Sequence, residues 1–288
     1  MLRSMYSGIS GMKNFQTKLD VIGNNIANVN TFGFKKGRVT FKDMVSQTIS
    51  GASAGDGARG GVNPKQVGLG SQLSAIDTID TQGSLQTTGR VLDVGIQGDG
   101  YLAVDDGNGG IKYTRAGNLY FDNDGYLVTA SGEYVLGLEQ TNTNNGIGHP
   151  VYDDTNTNIV GMLRPIQIAN IEAVSNLSIE ENGRINYTYN GTNISGDNIA
   201  IARFANNGGL EKVGDNFYIA TAASGIPAYG YPTTGGAGKL VSGTLEMSNV
   251  DLSEEFTEMI VAQRGFQANT RIITTSDEIL QELVNLKR

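Results

Sequence analysis

The sequence predicts a mostly β protein with long terminal α-helices: a discontinuous α-helical coiled-coil domain built from both termini, plus an all-β outer domain between them. Three observations predict this. Apolar residues recur at helical spacing at both ends, every three or four positions at the start and every seven at the finish. Between them, short β-branched or aromatic runs alternate with Gly/Asn/Asp turns. Glycine contributes 40 of 288 residues and charged residues only 17%, against typical values of about 7% and about 25%, a balance that favours turn-rich β structure. The expected boundaries are 1–44 with 246–288 for the helical inner domain, 45–71 for a Gly-rich linker, and 72–245 for the β-rich outer domain.

The first element is a helix of roughly 25 residues. Leu2, Met5, Ile9, Met12, Leu19 and Ile26 form one apolar stripe, with Gln16 and Gly23 in its weaker slots and Phe15, Ile22 and Val29 widening it. Asn28, Asn30 and Gly33 supply its stop. Gly33 lies between Phe32 and Phe34, so a left-handed Gly33 is expected to turn the chain out of the helix while the two aromatics anchor it.

The last element starts at Asp251, which with Glu254 reads as an Asp variant of the capping box. Leu252, Met259, Phe266, Ile273 and Leu280 then recur every seven residues, joined by Phe256 and Val284 and interrupted by Gln263, Thr270 and Asp277. A strict seven-residue period implies supercoiled packing. Burying one such stripe does not offset the entropy of ordering the helix that carries it. Each end therefore requires the other and neighbouring subunits, and the two stripes are expected to be the assembly face. Charge supports the pairing, since residues 1–44 carry seven basic and two acidic side chains and residues 241–288 four basic and eight acidic.

In the middle, Gly51 to Gly70 contains G-x-G-x-x-G at Gly55, Gly57 and Gly60, but no periodic helix follows, so a linker is expected and a dinucleotide site is not. Strands are expected at Val91–Ile96, Tyr101–Val104, Ile111–Thr114, Asn118–Phe121, Tyr126–Thr129, Tyr134–Leu138, Ile166–Ile168, Ile185–Tyr189, Ile199–Phe204 and Phe217–Ala220. Asn142 to Asn158 reads as an exposed loop.

Composition narrows the chemistry. The chain has no Cys and one His, which excludes thiol nucleophiles, disulfides and multi-His metal sites. His149 sits in a Gly/Pro loop and reads as solvated. The doublets Asp105/Asp106, Asp153/Asp154, Glu180/Glu181 and Glu254/Glu255 put neighbouring carboxylates on opposite faces of a strand and make no acid/base pair. Asp122–Gly125 resembles part of a calcium loop without its terminal Glu, and a type I′ turn accounts for it. Four N-x-S/T sequons, at Asn176, Asn186, Asn190 and Asn193, follow from an Asn/Thr-rich composition. A net charge of −8 argues against nucleic acid or an anionic membrane as partner. No apolar run is long enough to insert in a membrane, and no h-region follows the basic start as a cleaved secretory signal requires. No enzyme activity, cofactor or metal is expected.

Several motifs resemble those of the bacterial flagellar rod and hook axial proteins. Met5 to Met12 (MYSGISGM) and Asn24 to Lys36 (NNIANVNTFGFKK) match the amino-terminal motif. Gln66–Gly70, Gln82–Gly89, Gln97–Leu102 and Tyr113–Asn118 follow in order, and Ser242–Leu252 and Ala262–Asn269 match the carboxy-terminal motif. The nearest likeness is to a hook subunit of the short form found in Gram-positive bacilli, with the distal rod subunit as the alternative. The resemblance implies a structural subunit, exported uncleaved through the flagellar type III apparatus and polymerised into a tube in the hook and basal body. Its partners would be further copies of itself and the neighbouring rod, hook-cap and hook–filament junction proteins. A secreted binding β-domain, which would carry a carbohydrate or protein ligand, and a hydrolase built on His149 are the competing classes.

Overall fold

The structure, a computed structural model, describes residues 2–55, 60–107, 109–138, 163–168 and 171–286. His149, Asp153, Asp154 and the Asn142–Asn158 segment lie outside them. The chain divides into two compact units, Met1–Asn28 with Lys36–Ile79 and Val250–Arg288, and Val29–Lys35 with Asp80–Asn249.

In the first unit, helix α1 spans Leu2–Ala27 and helix α2 spans Leu252–Asn285. No proline interrupts either. α1 ends where Asn28 folds its amide back, donating from Nδ2 to Asn24 O at 2.9 Å. α2 begins at Asp251, whose carboxylate accepts from the Ser253 and Glu254 amides at 2.8 and 3.4 Å and so satisfies two of the orphan donors of the first turn.

The same unit holds strands β1 (Gly37–Asp43), β2 (Ser46–Ser50), β3 (Lys65–Gly68) and β4 (Ser71–Thr78). β1 pairs antiparallel with β4 and β2 with β3. The observed division thus departs from the expected one. Among the described residues of 45–71, β2 and β3 pair with each other where a plain linker was expected, and the strand-rich body begins at Asp80, not 72. Val45, Ile49 and Val67 supply β-branched positions, yet every residue of β2 and β3 is exposed, so neither strand shows the half-buried alternation by which strands are usually read.

The second unit is built on one large antiparallel sheet. Strand Tyr101–Asp105 is buried on both faces: Leu102 and Val104 enter an aliphatic core with Val94, Ile96, Leu119 and Ile199, while Tyr101 and Ala103 enter an aromatic one with Tyr113, Tyr218 and Tyr229. Period-2 alternation delivers the two sets to opposite sides. Most expected strands lie within a residue or two of the observed ones. The exceptions are Val91–Ile96, observed as Val94–Gln97, and Ile166–Ile168, where the strand is Leu163–Pro165 and only Gln167 forms a bridge, to Tyr126. At Asp122–Gly125 the Gly125 amide donates to Asp122 O at 2.9 Å, and Gly125 is the one residue of the four with positive φ, at 79°. A type I′ turn needs two positive φ values, so this is a type I turn closed by a left-handed glycine.

Burial raises the pKa of Tyr101, Tyr113, Tyr218 and Tyr229, and the nearby Asp80 carboxylate adds to the rise at Tyr101 and Tyr218. Tyr113 and Tyr229 also share a hydroxyl–hydroxyl hydrogen bond of 2.6 Å. A phenol whose folded pKa exceeds its unfolded value of about 10 stabilises the fold fully below that pH and progressively less above it. In an alkaline absorbance titration these four phenolates are expected to appear only with loss of the near-ultraviolet circular dichroism. Ionisation of all the tyrosines near pH 10 with the fold intact would contradict it.

Candidate functional site

Two features of the described residues bear on function, one in each unit. The first is the α1–α2 pair. Asn25 Nδ2 donates to Glu255 Oε2 at 3.1 Å, Lys18 Nζ meets Glu258 Oε2 at 2.5 Å, and a methyl placed on Gly265 would sit 2.5 Å from Phe15 Cζ. Gly8 and Gly11 approach Ile273 and Asn269. Rising numbers on α1 meet falling numbers on α2, so the helices run antiparallel. On α1 these contacts fall at Gly8, Gly11, Phe15, Lys18 and Asn25, in steps of three, four or their sum.

The stripes expected from sequence stand differently. On α2, Met259, Phe266, Ile273 and Leu280 are half-buried and alternate with Glu255, Ala262, Asn269 and Ser276 in steps of four and three. The second column is thus 255/262/269/276, not the expected 256/263/270/277/284. Leu252 is 40% and Phe256 50% exposed. On α1, Met5, Met12, Leu19 and Ile26 are half-buried and Ile9 is 39% exposed. The close approach at Gly8 and Gly11 brings the two helix backbones near each other and leaves these apolar residues half-buried rather than fully covered. The apolar stripe of α1 therefore remains partly open, as do Ile260, Val261, Ile272 and Ile279 of α2.

The second feature lies in the segment Val29–Lys35. Asn30 is exposed and Phe32 half-buried, with the Phe32 carbonyl accepting from Asn216 Nδ2 at 3.4 Å. Gly33 has φ +69° and donates its amide to Glu246 O at 2.8 Å. A Cβ there would lie 2.7 Å from both Ala116 N and Arg115 C. Phe34 is buried with Lys212 Nζ 4.7 Å from its ring centroid, and Lys212 Nζ also donates to Lys35 O at 2.9 Å.

Lys35 ends this segment inside the protein. Its Nζ donates to Glu246 Oε1 at 2.7 Å and to Thr81 O at 2.9 Å, with Asp80 Oδ1 at 3.8 Å. The other Glu246 oxygen accepts from Arg115 Nη1 at 3.1 Å, and Oε1 also accepts from the Gly83 amide at 3.0 Å. The side chains of Lys35, Arg115 and Glu246 are at most 1% exposed. Two cations face two carboxylates, so the cluster is neutral, as burial demands. Burial first, then the Arg115 charge, lowers the pKa of Lys35, and Glu246 opposes the fall. Burial likewise lowers that of Lys212.

The sequence points to Phe32, Gly33 and Phe34 but gives no direct sign of Arg115, Glu246 and Asp80. The signal lay in the motifs: Lys35, Gly83, Arg115 and Glu246 belong to four separate matched segments that converge on one cluster. This arrangement clamps the chain that follows α1, fixing Lys35 between Glu246 and Thr81 O.

Gly33→Ala tests the clamp against a matched control. Gly89 has φ +73° with open space around its Cβ direction, so Gly89→Ala should lose only the backbone term of about 1 kcal/mol. Gly33→Ala should lose about 2–4 kcal/mol, because backbone atoms must also move. Urea unfolding of the full chain measures both, and equal losses would remove the packing argument.

Three family descriptions match the chain: "Flagella basal body rod protein" over residues 5–35, "Flagellar hook protein FlgE/F/G D1 domain" over 95–187, and "Flagellar basal body rod FlgEFG protein C-terminal" over 241–286. The chain is 55% identical over 289 positions to the flagellar basal-body rod protein FlgG of Bacillus subtilis (strain 168). It is 34% identical over 442 positions to the flagellar hook protein FlgE of Borreliella burgdorferi, and 36% identical over 292 positions to the flagellar basal-body rod protein FlgG of that organism. Each alignment covers the whole of both chains.

Proposed function

We propose a function from one premise: this chain belongs to the family of flagellar rod and hook axial proteins, and is a structural component of the flagellum. Within that family, the reading we favour is the hook subunit, which polymerises into the flexible tube that carries motor torque to the filament. The supporting observation is a comparison inside one organism. Borreliella burgdorferi contributes both a hook and a rod relative; 34% of 442 positions is about 150 identical residues for the hook protein, and 36% of 292 is about 105 for the rod protein. A second reading, the distal rod subunit, is supported by the name and matching length of the Bacillus relative.

On either reading the α1–α2 pair is the coiled-coil inner layer, and its open apolar stripes meet other copies and the adjoining axial proteins. Export would proceed through the flagellar type III apparatus without a cleaved signal. No catalytic step is assigned. The chain has no cysteine, so a single Cys at Ile226, which is 74% exposed, allows maleimide–gold labelling of purified hook–basal bodies. Label along the curved hook is expected. Label confined to the straight rod would overturn the hook reading in favour of the rod.

A further inference from the structure

Lys13 and Asp20 of α1 and Arg271 and Glu278 of α2 are exposed. Among the described residues none of the four forms an ion pair, whereas Lys18 and Lys36 meet Glu258 and Glu254. Their place on each helix explains the difference. Contacts of Gly11 and Phe15 with Asn269 and Gly265 fix the α1–α2 seam. At about 3.6 residues per turn, Lys13, Thr17, Asp20 and Asn24 lie half a turn away from that seam on α1, and Gln267, Arg271, Thr274 and Glu278 lie half a turn away on α2. The two outward faces therefore cannot reach each other within one subunit.

Between two copies the faces are complementary. Lys13 precedes Asp20 by seven residues, and Arg271 precedes Glu278 by seven. Laid antiparallel, Lys13 opposite Glu278 brings Asp20 opposite Arg271, and the same register sets Thr17 opposite Thr274 and Asn24 opposite Gln267. Steps of four, three and four coincide on both helices. Laid parallel, Lys13 opposite Glu278 puts Asp20 opposite Asn285, and the second pair is lost. Antiparallel is also the direction that assembly requires. Where all subunits of a tube point one way, α1 of one copy runs against α2 of the next, as it does within the subunit. The two patches lie on different helices, so each copy offers one to each neighbour, and such head-to-tail contacts propagate into a ring or a helical polymer.

We propose that the outward face of α2 docks on the outward face of α1 in a second copy of this chain, with Lys13 against Glu278 and Asp20 against Arg271. The inference rests on the self-assembling reading above and names a contact through which it operates, for a hook or a rod subunit alike. An exposed ion pair contributes little on its own. Repeated at every copy, the alternation of sign fixes direction and register, because charge complementarity acts chiefly by excluding wrong arrangements. A shift of seven residues either way sets Lys13 against Arg271 or Asp20 against Glu278, like charge against like.

Sedimentation of the full-length protein at about 0.15 M salt, where charges in contact are not screened out, gives the concentration above which polymer forms. Lys13→Glu and Glu278→Lys, each shown by its unfolding transition to be folded, should each raise that concentration about fivefold or more. The chain carrying both substitutions should return to within about twofold of the wild type. An equimolar mixture of the two single variants should do the same, since every contact in an alternating polymer again joins opposite charges, whereas a pair internal to one subunit is not rescued by mixing. Asp20→Arg with Arg271→Asp is an independent second pair and should behave alike. Wild-type assembly by the single variants, or a mixture no better than its components, would overturn the proposal and leave both faces solvated. Failure of the wild-type chain itself to polymerise would instead overturn the self-assembling reading, and this contact with it.

Discussion

Glu246→Gln is expected to lower the stability of the strand-rich unit by about 3–5 kcal/mol, the cost of breaking a buried ion pair by removing one partner. The amide keeps the shape of the carboxylate but cannot neutralise Lys35 and Arg115 together, which then share Asp80 alone. Lys35 Nζ is 3.8 Å from the nearer Asp80 oxygen against 2.7 Å from Glu246, so Asp80 does not substitute. For a unit of this size the loss corresponds to a fall in Tm of roughly 10 °C. A double-mutant cycle with Lys35→Met separates pairing from simple loss of packing, since the double variant removes one charge of each sign and should lose less than the sum of the singles. A fall below about 1 kcal/mol for Glu246→Gln would mean that water reaches the cluster and screens it.

Phe266→Asp and Ile273→Asp are expected to abolish polymerisation while the strand-rich unit stays folded. Both side chains are half-buried on the α2 face whose Ile273 meets Gly8 of α1, where a carboxylate would replace an apolar contact. Such a charge disfavours both the helix pair and any interface built on it. Ile260→Asp separates these effects. Ile260 is 59% exposed in the free chain, so its replacement should leave monomer stability within about 0.5 kcal/mol. It should still raise the concentration needed for assembly by about tenfold or more, equivalent to about 1.4 kcal/mol of association free energy. Sedimentation and electron microscopy read the outcome, and normal polymers from any of the three would contradict the assembly role of α2.

The parts of the fold that were legible were those in which large apolar residues repeat. The Met259–Phe266–Ile273–Leu280 column marks one side of the α2 seam because seven-residue repeats keep one face toward a partner. Its other side was illegible, since Glu255, Ala262, Asn269 and Ser276 carry no hydropathy signal, and apolar periodicity points to Phe256 in their place. On α1 the apolar pattern points to Met5, Ile9 and Met12 and gives no sign of the close approach at Gly8 and Gly11 or of the packing of Phe15 on Gly265. Strands β2 and β3 were hidden by complete exposure. Lys35, Arg115 and Glu246 were hidden by type, because charged residues are ordinarily solvated.

Two carboxylate doublets, one at the start of α2 and one in the turn after strand Val174–Ile179, divide their roles. Glu255 bonds Asn25 while Glu254 meets Lys36 at 2.7 Å. Glu180 bonds Asn186 while Glu181 meets Lys239 at 3.1 Å. Each of these two pairs splits between different partners.

The central claim is that the terminal helices complete their burial only in the polymer. Within the subunit α2 fully buries only Glu255, Ala262 and Ser276 along its 34 residues, which is too little apolar surface to offset the ordering of so long a helix. Amide hydrogen exchange on a verified monomer and on the assembled polymer tests this directly. The account predicts fast exchange across Leu252–Leu280 in the monomer, protection there that rises by orders of magnitude on assembly, and unchanged protection in the Tyr101–Asp105 strand. Equal protection of Leu252–Leu280 in both states would contradict it, because the helix pair would then be complete before any second subunit arrives.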